Sequence, residues 1–227
     1  MEFIILSIYI YYMHTFIKII KIYFIISFLE WFLHKYIMHG DPELLQEIPF
    51  IGHKFKIECL NHLKHHKEVQ TNMEIIGEQN GLFFKWRISV ILIFAINVLF
   101  IITSTFDNKK NGFIFSIILS LTYFMLWNTI HPEMHFIVDK ISWIEGVPSQ
   151  KKYFNFDNFI YKWLLKNHTL HHLQKNNKGN FNIILPGFDY IFNTYYDKCY
   201  DNTDYCLDNK EDTRVCGNKE FIKRCLY

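Results

Sequence analysis

The hydrophobic positions of this chain come in runs long enough to cross a bilayer, with polar residues gathered between them. Phe3 to Leu33 is almost continuously apolar, broken by His14, Lys18, Lys21 and Glu30. A spanning helix needs about 20 apolar residues, so this run has surplus length. It reads either as one tilted span or as a short interfacial helix leading into a span, with Lys18 and Lys21 snorkelling or marking the break. It is too long for a cleaved leader, and no small-residue cleavage site follows it. Trp86 to Phe106 makes a second span, about 31 Å long as a helix. The polar turn Asp107–Gly112 reverses the chain, and Phe113 to Ile130 returns as a third.

The intervening stretches read differently. Gly40-Asp41-Pro42 ends the helix that leaves the first run. Residues 43–60 are mixed, with turns at Pro49 and Gly52, and 68–84 form a polar connection back to the second run. Beyond His135 the chain is soluble in character: a loop at Trp143–Pro148, then an amphipathic helix over 153–172. Apolar residues of 180–194 pack beneath a metal site built on the histidines that end that helix, or lie on a lipid surface. From Tyr196 on, alternating charges without apolar periodicity predict a loosely ordered tail. The expectation is therefore an all-α integral membrane bundle of three to four spanning helices in one domain, 1–195, followed by a polar tail, 196–227.

Composition narrows the function classes. Half of the 227 residues are hydrophobic and 19% aromatic, and the formal charge is only +2, which leaves no electrostatic footprint for nucleic acid. Cys59 stands alone, and Cys199, Cys206, Cys216 and Cys225 fall in the tail without a CxxC pair, so neither a cysteine zinc site nor a disulfide framework is indicated. Cys225 is third from the end and makes no prenylation box.

The candidate chemistry lies in the histidines. Ten of twelve fall into four groups: His34 and His39; His62, His65 and His66; His131 and His135; His168, His171 and His172. A spacing of i, i+3, i+4 puts three rings on one helix face, and neutral imidazole is the commonest transition-metal ligand. One HxxxH pair means little, whereas two HxxHH triplets in one chain are specific. The first pair is the least regular, because five residues of α-helix rotate about 140° and splay the rings. Either those two serve different metals or the helix deforms there. His14 and His53 stand outside the pattern and read as structural. With one run crossing out and the next returning, all four groups share one membrane face. Lys54, Lys56, Lys64 and Lys67 mark that face as cytosolic.

Ten imidazoles exceed what one ion can hold, so two ions with about five ligands each is the natural division. Donors of this kind suit iron, zinc or copper rather than magnesium or calcium. Glu30, Asn61, Asn128, Glu133 and Asn167 sit beside ligands and are candidates for holding a ring tautomer. Without an HExxH glutamate to activate water, zinc hydrolysis is disfavoured. CxxCH is also absent, and a haem would use only one or two of these histidines. A redox metal at a membrane points instead to lipid acyl chains. Breaking an unactivated C–H bond needs an oxidant that two irons and dioxygen can make and that acid–base groups cannot.

At these residues the chain resembles the fatty acid hydroxylase superfamily of membrane non-haem di-iron enzymes, which includes sterol desaturases and methyl oxidases. The resemblance runs from about Glu30 to Thr194. It rests on HX4H (His34, His39), HX2HH (His62, His65, His66), HX3H (His131, His135) and HX2HH (His168, His171, His172). The opening Glu30-Trp-Phe-Leu-His34-Lys and the closing Pro186-Gly-Phe-Asp-Tyr-Ile-Phe-Asn-Thr194 add to it. The order and spacing are most similar to the fatty acid or sphingolipid 2-hydroxylases, whereas sterol enzymes typically open with HX3H.

The resemblance implies ten histidine ligands for two iron ions, with zinc as a substitute, and dioxygen as co-substrate. It also implies a lipid acyl substrate, an endoplasmic-reticulum-type membrane, and a separate electron donor such as cytochrome b5 with its reductase. The implied fold is a small membrane bundle capped by a cytosolic helical region holding the metals. The chain departs from the family pattern at Lys67-Glu-Val-Gln-Thr-Asn72, where 2-hydroxylases carry a Pro-Met-Asp-like segment. It departs again at Asn193, in place of a glycine, and in having one fewer clear span. The rival readings are a lipid or sterol desaturase of the same superfamily, a non-catalytic membrane zinc-binding protein, and an inactive relative that keeps the scaffold.

Overall fold

The computed structural model describes residues 2–69, 73, 75, 82–135, 159–173 and 179–196. The loop expected at 143–148, the start of the helix expected over 153–172, and the tail past Tyr196 with its four cysteines lie outside the described residues. Seven α-helices are present among those described: α1 (Glu2–Phe32), α2 (Pro42–Gln46), α3 (Gly52–Glu68), α4 (Trp86–Ile102), α5 (Lys109–Met134), α6 (Phe159–Leu173) and α7 (Phe188–Ile191). There is no strand among them, only an isolated bridge between Val69 and Ile75.

The first apolar run is one continuous helix of 31 residues, not two. Its two lysines do not break it. Lys21 Nζ donates to the Thr103 carbonyl at 3.0 Å and Lys18 pairs with Asp107 at 3.6 Å. Both reach the turn that joins α4 to α5, so they tie α1 alongside that hairpin. The hairpin is closed by a seam of small residues, where Ser116 and Ser120 are fully buried and the Ser120 hydroxyl donates to the Ser89 carbonyl at 2.8 Å. Small side chains let two helix backbones approach.

The limits of the hairpin helices differ from the pattern-based ones. α4 stops at Ile102 rather than Phe106, because Thr103 folds its hydroxyl back to the Leu99 carbonyl at 2.7 Å and Ser104 turns left-handed with φ 49°. α5 begins before Phe113 because the Asn108 side chain caps it, accepting from Lys110 N at 2.9 Å and Asn111 N at 3.4 Å. It also runs past Ile130 to Met134, which puts His131 on the helix and His135 at its end. Among the described residues, Lys109–Met134 is the one helix long and apolar enough to cross a membrane, and Trp86–Ile102 is apolar but shorter. Among the described residues the fold is thus all-helical with one candidate span, where the sequence pattern expects three to four.

The main core gathers Ile25 and Leu29 of α1, Leu92, Ile96 and Phe100 of α4, and Tyr123 and Trp127 of α5, with Leu164, Ile183 and Ile184 closing it near the histidines. A second small core joins Leu45, Phe55 and Cys59. Cys59 is buried, and its thiol donates to the Gly40 carbonyl at 3.3 Å. Burial, helped by Asp41, pushes that thiol up to about 11, so it stays protonated and packs as a small apolar group. Gly40 has no room for a side chain. A Cβ there would lie 2.2 Å from the Tyr36 carbonyl.

Candidate metal centre

The ten histidines of the four sequence groups meet in one place, and they divide into two sets of five. His34, His39, His62, His66 and His171 form the first cluster; His65, His131, His135, His168 and His172 form the second. Within each cluster one ring nitrogen from every residue lies within 4.8 Å of the others. His14 and His53 are exposed and belong to neither.

The division follows a simple rule. In each triplet the i, i+4 pair serves one cluster and the remaining ring serves the other. His62 and His66 go to the first cluster while His65 goes to the second, and His168 and His172 go to the second while His171 goes to the first. Each HX4H or HX3H pair completes one set. Both triplet helices therefore contribute to both clusters. The rings of His66 and His172 stack across the boundary with centroids 4.1 Å apart.

The irregular first pair is resolved by a change of helix type. Leu33–Met38 is π-helical, and His39 N bonds to the His34 carbonyl at 3.0 Å. In a turn closed from i to i+5, residues five apart stand one above the other. His34 and His39 thus face the same cluster, with centroids 5.1 Å apart and planes 28° from parallel.

Four rings have their tautomer set by backbone carbonyls. The Nδ1–H of His34 donates to Phe181 O at 2.7 Å and that of His171 to Gly179 O at 2.7 Å. In the second cluster His131 Nδ1 meets Leu82 O and His135 Nδ1 meets Met73 O, both at 2.9 Å. Each leaves a bare Nε2 for the interior. Burial first, and neighbouring imidazoles second, hold His34, His39, His62, His65, His66, His168 and His172 well below the ordinary histidine value. His135 and His171 are brought down to about 4 by burial, against the opposite pull of their carbonyl partners. The rings are neutral at neutral pH.

Neutral rings alone cannot satisfy the contacts they make. In the first cluster Nε2–Nε2 separations are 3.0 Å for His34–His62, 3.1 Å for His62–His39, His62–His66 and His39–His171, and 3.2 Å for His171–His66. With His34 bare at Nε2, His62 must carry the proton between them. It then has no lone pair for His39, so His39 must be bare. His39 and His171 then confront each other with lone pairs at 3.1 Å. A cation at the centre removes the conflict. An ion bound to imidazole at about 2.0–2.1 Å sets neighbouring nitrogens about 2.8–3.4 Å apart, between the right-angle and tetrahedral limits. The observed edges fall in that interval, as do His135–His168 at 2.9 Å and His168–His172 at 3.2 Å in the second cluster. His65 Nδ1 and Nε2 and His131 Nε2 are buried without a hydrogen-bond partner among the described residues. Both clusters could hold a metal ion, an arrangement compatible with a dinuclear site.

Three of the five polar residues singled out beside the ligands, Glu30, Asn128 and Asn167, bond to backbone near the rings. Glu30 accepts from the amides of Ile183, Ile184 and Leu185 at 2.8, 2.7 and 2.8 Å. Asn167 Nδ2 donates to Asn182 O at 2.8 Å. Asn128 pairs with both backbone groups of Phe84 at 2.8 and 3.0 Å, two residues from the carbonyl that serves His131. Glu133 is buried, whereas Asn61 is half-buried. Sequence reasoning did not single out Asp189, which is buried and accepts from Phe181 N, Asn182 N and the Thr194 hydroxyl at 3.0, 2.7 and 2.6 Å. Two acidic side chains thus clamp the 179–185 strap that carries the Gly179 and Phe181 carbonyls. A lone carboxylate inside the apolar stretch 180–192 is the signal that could have found it. Asn193, the departure from the glycine of the resembled pattern, has φ 53°, a left-handed conformation that asparagine tolerates nearly as well as glycine.

Comparison of the chain with family models, with curated proteins and with solved structures finds no match.

Proposed function

We propose that this protein is a membrane oxygenase whose two iron ions, with dioxygen and electrons from a separate donor protein, hydroxylate a lipid acyl chain. The observation that carries the reading is the pair of adjacent, buried, all-imidazole clusters of five at the end of an apolar helical hairpin. When bound, a pair of redox-active metals supplies the dioxygen activation that an unactivated C–H bond requires. The protein's own part is to hold it. Gly179, Phe181, Leu82 and Met73 keep protons on the outward nitrogens, and burial keeps the inward nitrogens unprotonated. The core of α1, α4 and α5 excludes water from the side facing the apolar layer.

The outward faces of the hairpin favour a lipid setting. Phe94 is 72% exposed and Ile102 70%, and Val90, Ile101, Phe113, Ile118 and Leu121 are exposed with them. Such a continuous apolar surface is out of place in water. The resemblance of the four histidine boxes to the fatty acid hydroxylase superfamily supports iron and acyl chemistry over the zinc-binding reading.

The deciding experiment is metal analysis of the purified protein, paired with lipid profiling of cells expressing the wild type or His171→Ala. Two irons per chain and an oxygen-dependent hydroxylated lipid lost in the variant support the proposal. Zinc alone with unchanged lipids rejects it, and a new alkene in place of an alcohol converts it to a desaturase.

A further inference from the structure

The corner between α2 and α3 exposes apolar side chains that the metal centre does not use. Leu44, Ile48, Phe50 and Ile51 are all exposed, Leu44 at 64% and Phe50 at 103%. Phe50 also has φ 65°, and a bulky residue is sterically strained in that left-handed region. A ring this exposed gains almost nothing from the rest of the chain to offset the strain.

The corner is nonetheless firmly built. Ile51 N bonds to Pro49 O at 2.8 Å and Gly52 N to Ile48 O at 2.9 Å. A Cβ on Gly52 would lie 2.5 Å from the Leu45 and Gln46 carbonyls, so α3 starts hard against the end of α2. Lys56 of α3 reaches back to Glu43 and Gln46 of α2 at 2.8 and 2.6 Å. A closed turn thus holds Phe50 outward.

Its height along the hairpin follows from two contacts. The small core beneath the corner, Leu45, Phe55 and Cys59, packs on Ile91 of α4, which lies about 7.5 Å along that helix from Trp86. Trp86 is exposed between the exposed Lys85 and Arg87, residue types that settle at a membrane–water boundary. Glu58 of α3 lies within electrostatic reach of both cations. The corner therefore stands level with that boundary or just inside it, against the stretch of α4 that exposes Val90 and Phe94. Charge then narrows the occupant. Residues 41–56 carry three acids, Asp41, Glu43 and Glu47, against two lysines, Lys54 and Lys56. Such a balance recruits neither a charged partner protein nor an anionic head group, and apolar area is what the corner offers.

We infer that Leu44, Ile48, Phe50 and Ile51 form a wedge that inserts at the acyl boundary of the bilayer in which the hairpin sits. The lipid supplies the apolar surroundings that the Phe50 ring lacks within the chain. The wedge also fixes the height of α3 over the membrane, and with it His62, His65 and His66. The inference rests on the lipid setting of the hairpin and is independent of iron and of turnover.

The test places a polarity-sensitive fluorophore on single cysteines of the full-length protein in phosphatidylcholine vesicles. The four tail cysteines are changed to serine, and the buried Cys59 stays unlabelled. Labels go at Phe50→Cys and Leu44→Cys. Phe94→Cys is the lipid reference, and Lys67→Cys, at the far end of α3, is the water reference. Circular dichroism confirms that each variant is folded, and Leu44→Cys carries the test if Phe50→Cys is not. Both wedge labels should emit to the blue of the Lys67→Cys label and lose intensity to nitroxide lipids, while iodide in the water leaves them unchanged. A nitroxide near the glycerol end of the acyl chain should quench them more than one near the methyl end. Adding phosphatidylserine should change nothing. Quenching by iodide alone overturns the wedge, and so does shielding from both quenchers, which a partner protein or a second copy would give. Quenching that appears only with phosphatidylserine overturns attraction by apolar area. If the Phe94→Cys label also escapes the nitroxide lipids, the membrane setting falls; if it is quenched, the wedge alone falls.

Discussion

The His66 and His172 rings stack at 4.1 Å although they belong to different clusters. Their helices, α3 and α6, each feed both sets, so the two metal positions share a scaffold and not merely a neighbourhood. Loss of one ring should therefore disturb both sites.

That coupling makes a measurable claim. His66→Ala removes a ligand from the first cluster and the stacking partner of a ligand in the second. Metal content should fall from two per chain to below one, rather than to one. Plasma emission analysis of dialysed protein gives the count, and a clean loss of a single ion would show the clusters to be independent.

The π-helical turn leads to a less obvious expectation. It amounts to one extra residue inserted into a helix, so deleting Tyr36, which is exposed, should leave an ordinary α-turn with the two histidines four apart and still on one face. Metal content should survive the deletion, whereas His39→Ala should lower first-cluster affinity about 10-fold or more. If the deletion empties the cluster, the turn is doing something besides alignment.

Asp189 should matter as much as several of the ligands. Asp189→Asn places an amide N–H against a backbone N–H of the 179–185 strap, at a cost of about 1–3 kcal/mol of stability. It should also lower metal affinity about 10–100-fold through displaced carbonyls behind His34 and His171. Chemical denaturation and competitive chelation measure the two effects. Unchanged affinity at reduced stability would separate the strap from the metal site.

Acid should weaken the metal-free fold in a defined window. His135 and His171 sit at about 4 when folded, against about 6.5 in an unfolded chain. As pH falls below 6.5 the unfolded chain takes up protons that the folded chain refuses, so stability is intact above 6.5 and declines toward pH 4. Each of these two rings accounts for about 3 kcal/mol across that range. Denaturant midpoints of chelator-treated protein at pH 7.5, 6.0 and 5.0 should fall steadily, and bound metal should flatten the profile. A level profile in the metal-free protein contradicts the burial of those rings.

Several features were legible in the residues alone because they are local. Histidines at i, i+3 and i+4 share a helix face whatever surrounds them, so the ten ligand candidates and the five-and-five arithmetic were available before any coordinates. The long apolar runs marked α1, α4 and α5 for the same reason, although capping by Asn108 and Thr103 moved the ends. Which ring joins which cluster was not legible, because it depends on how α3 and α6 are rotated against each other. Nor was the π-turn, where an α-helix would have parted His34 from His39 and only convergence on a common cluster settles the choice. The carbonyls of Leu82, Met73, Gly179 and Phe181 were invisible in principle, since every residue carries one. Side-chain spacing along a single helix is thus written in the chain, whereas the partition of nitrogens between two centres and the backbone that fixes their protons arise only when distant segments pack together.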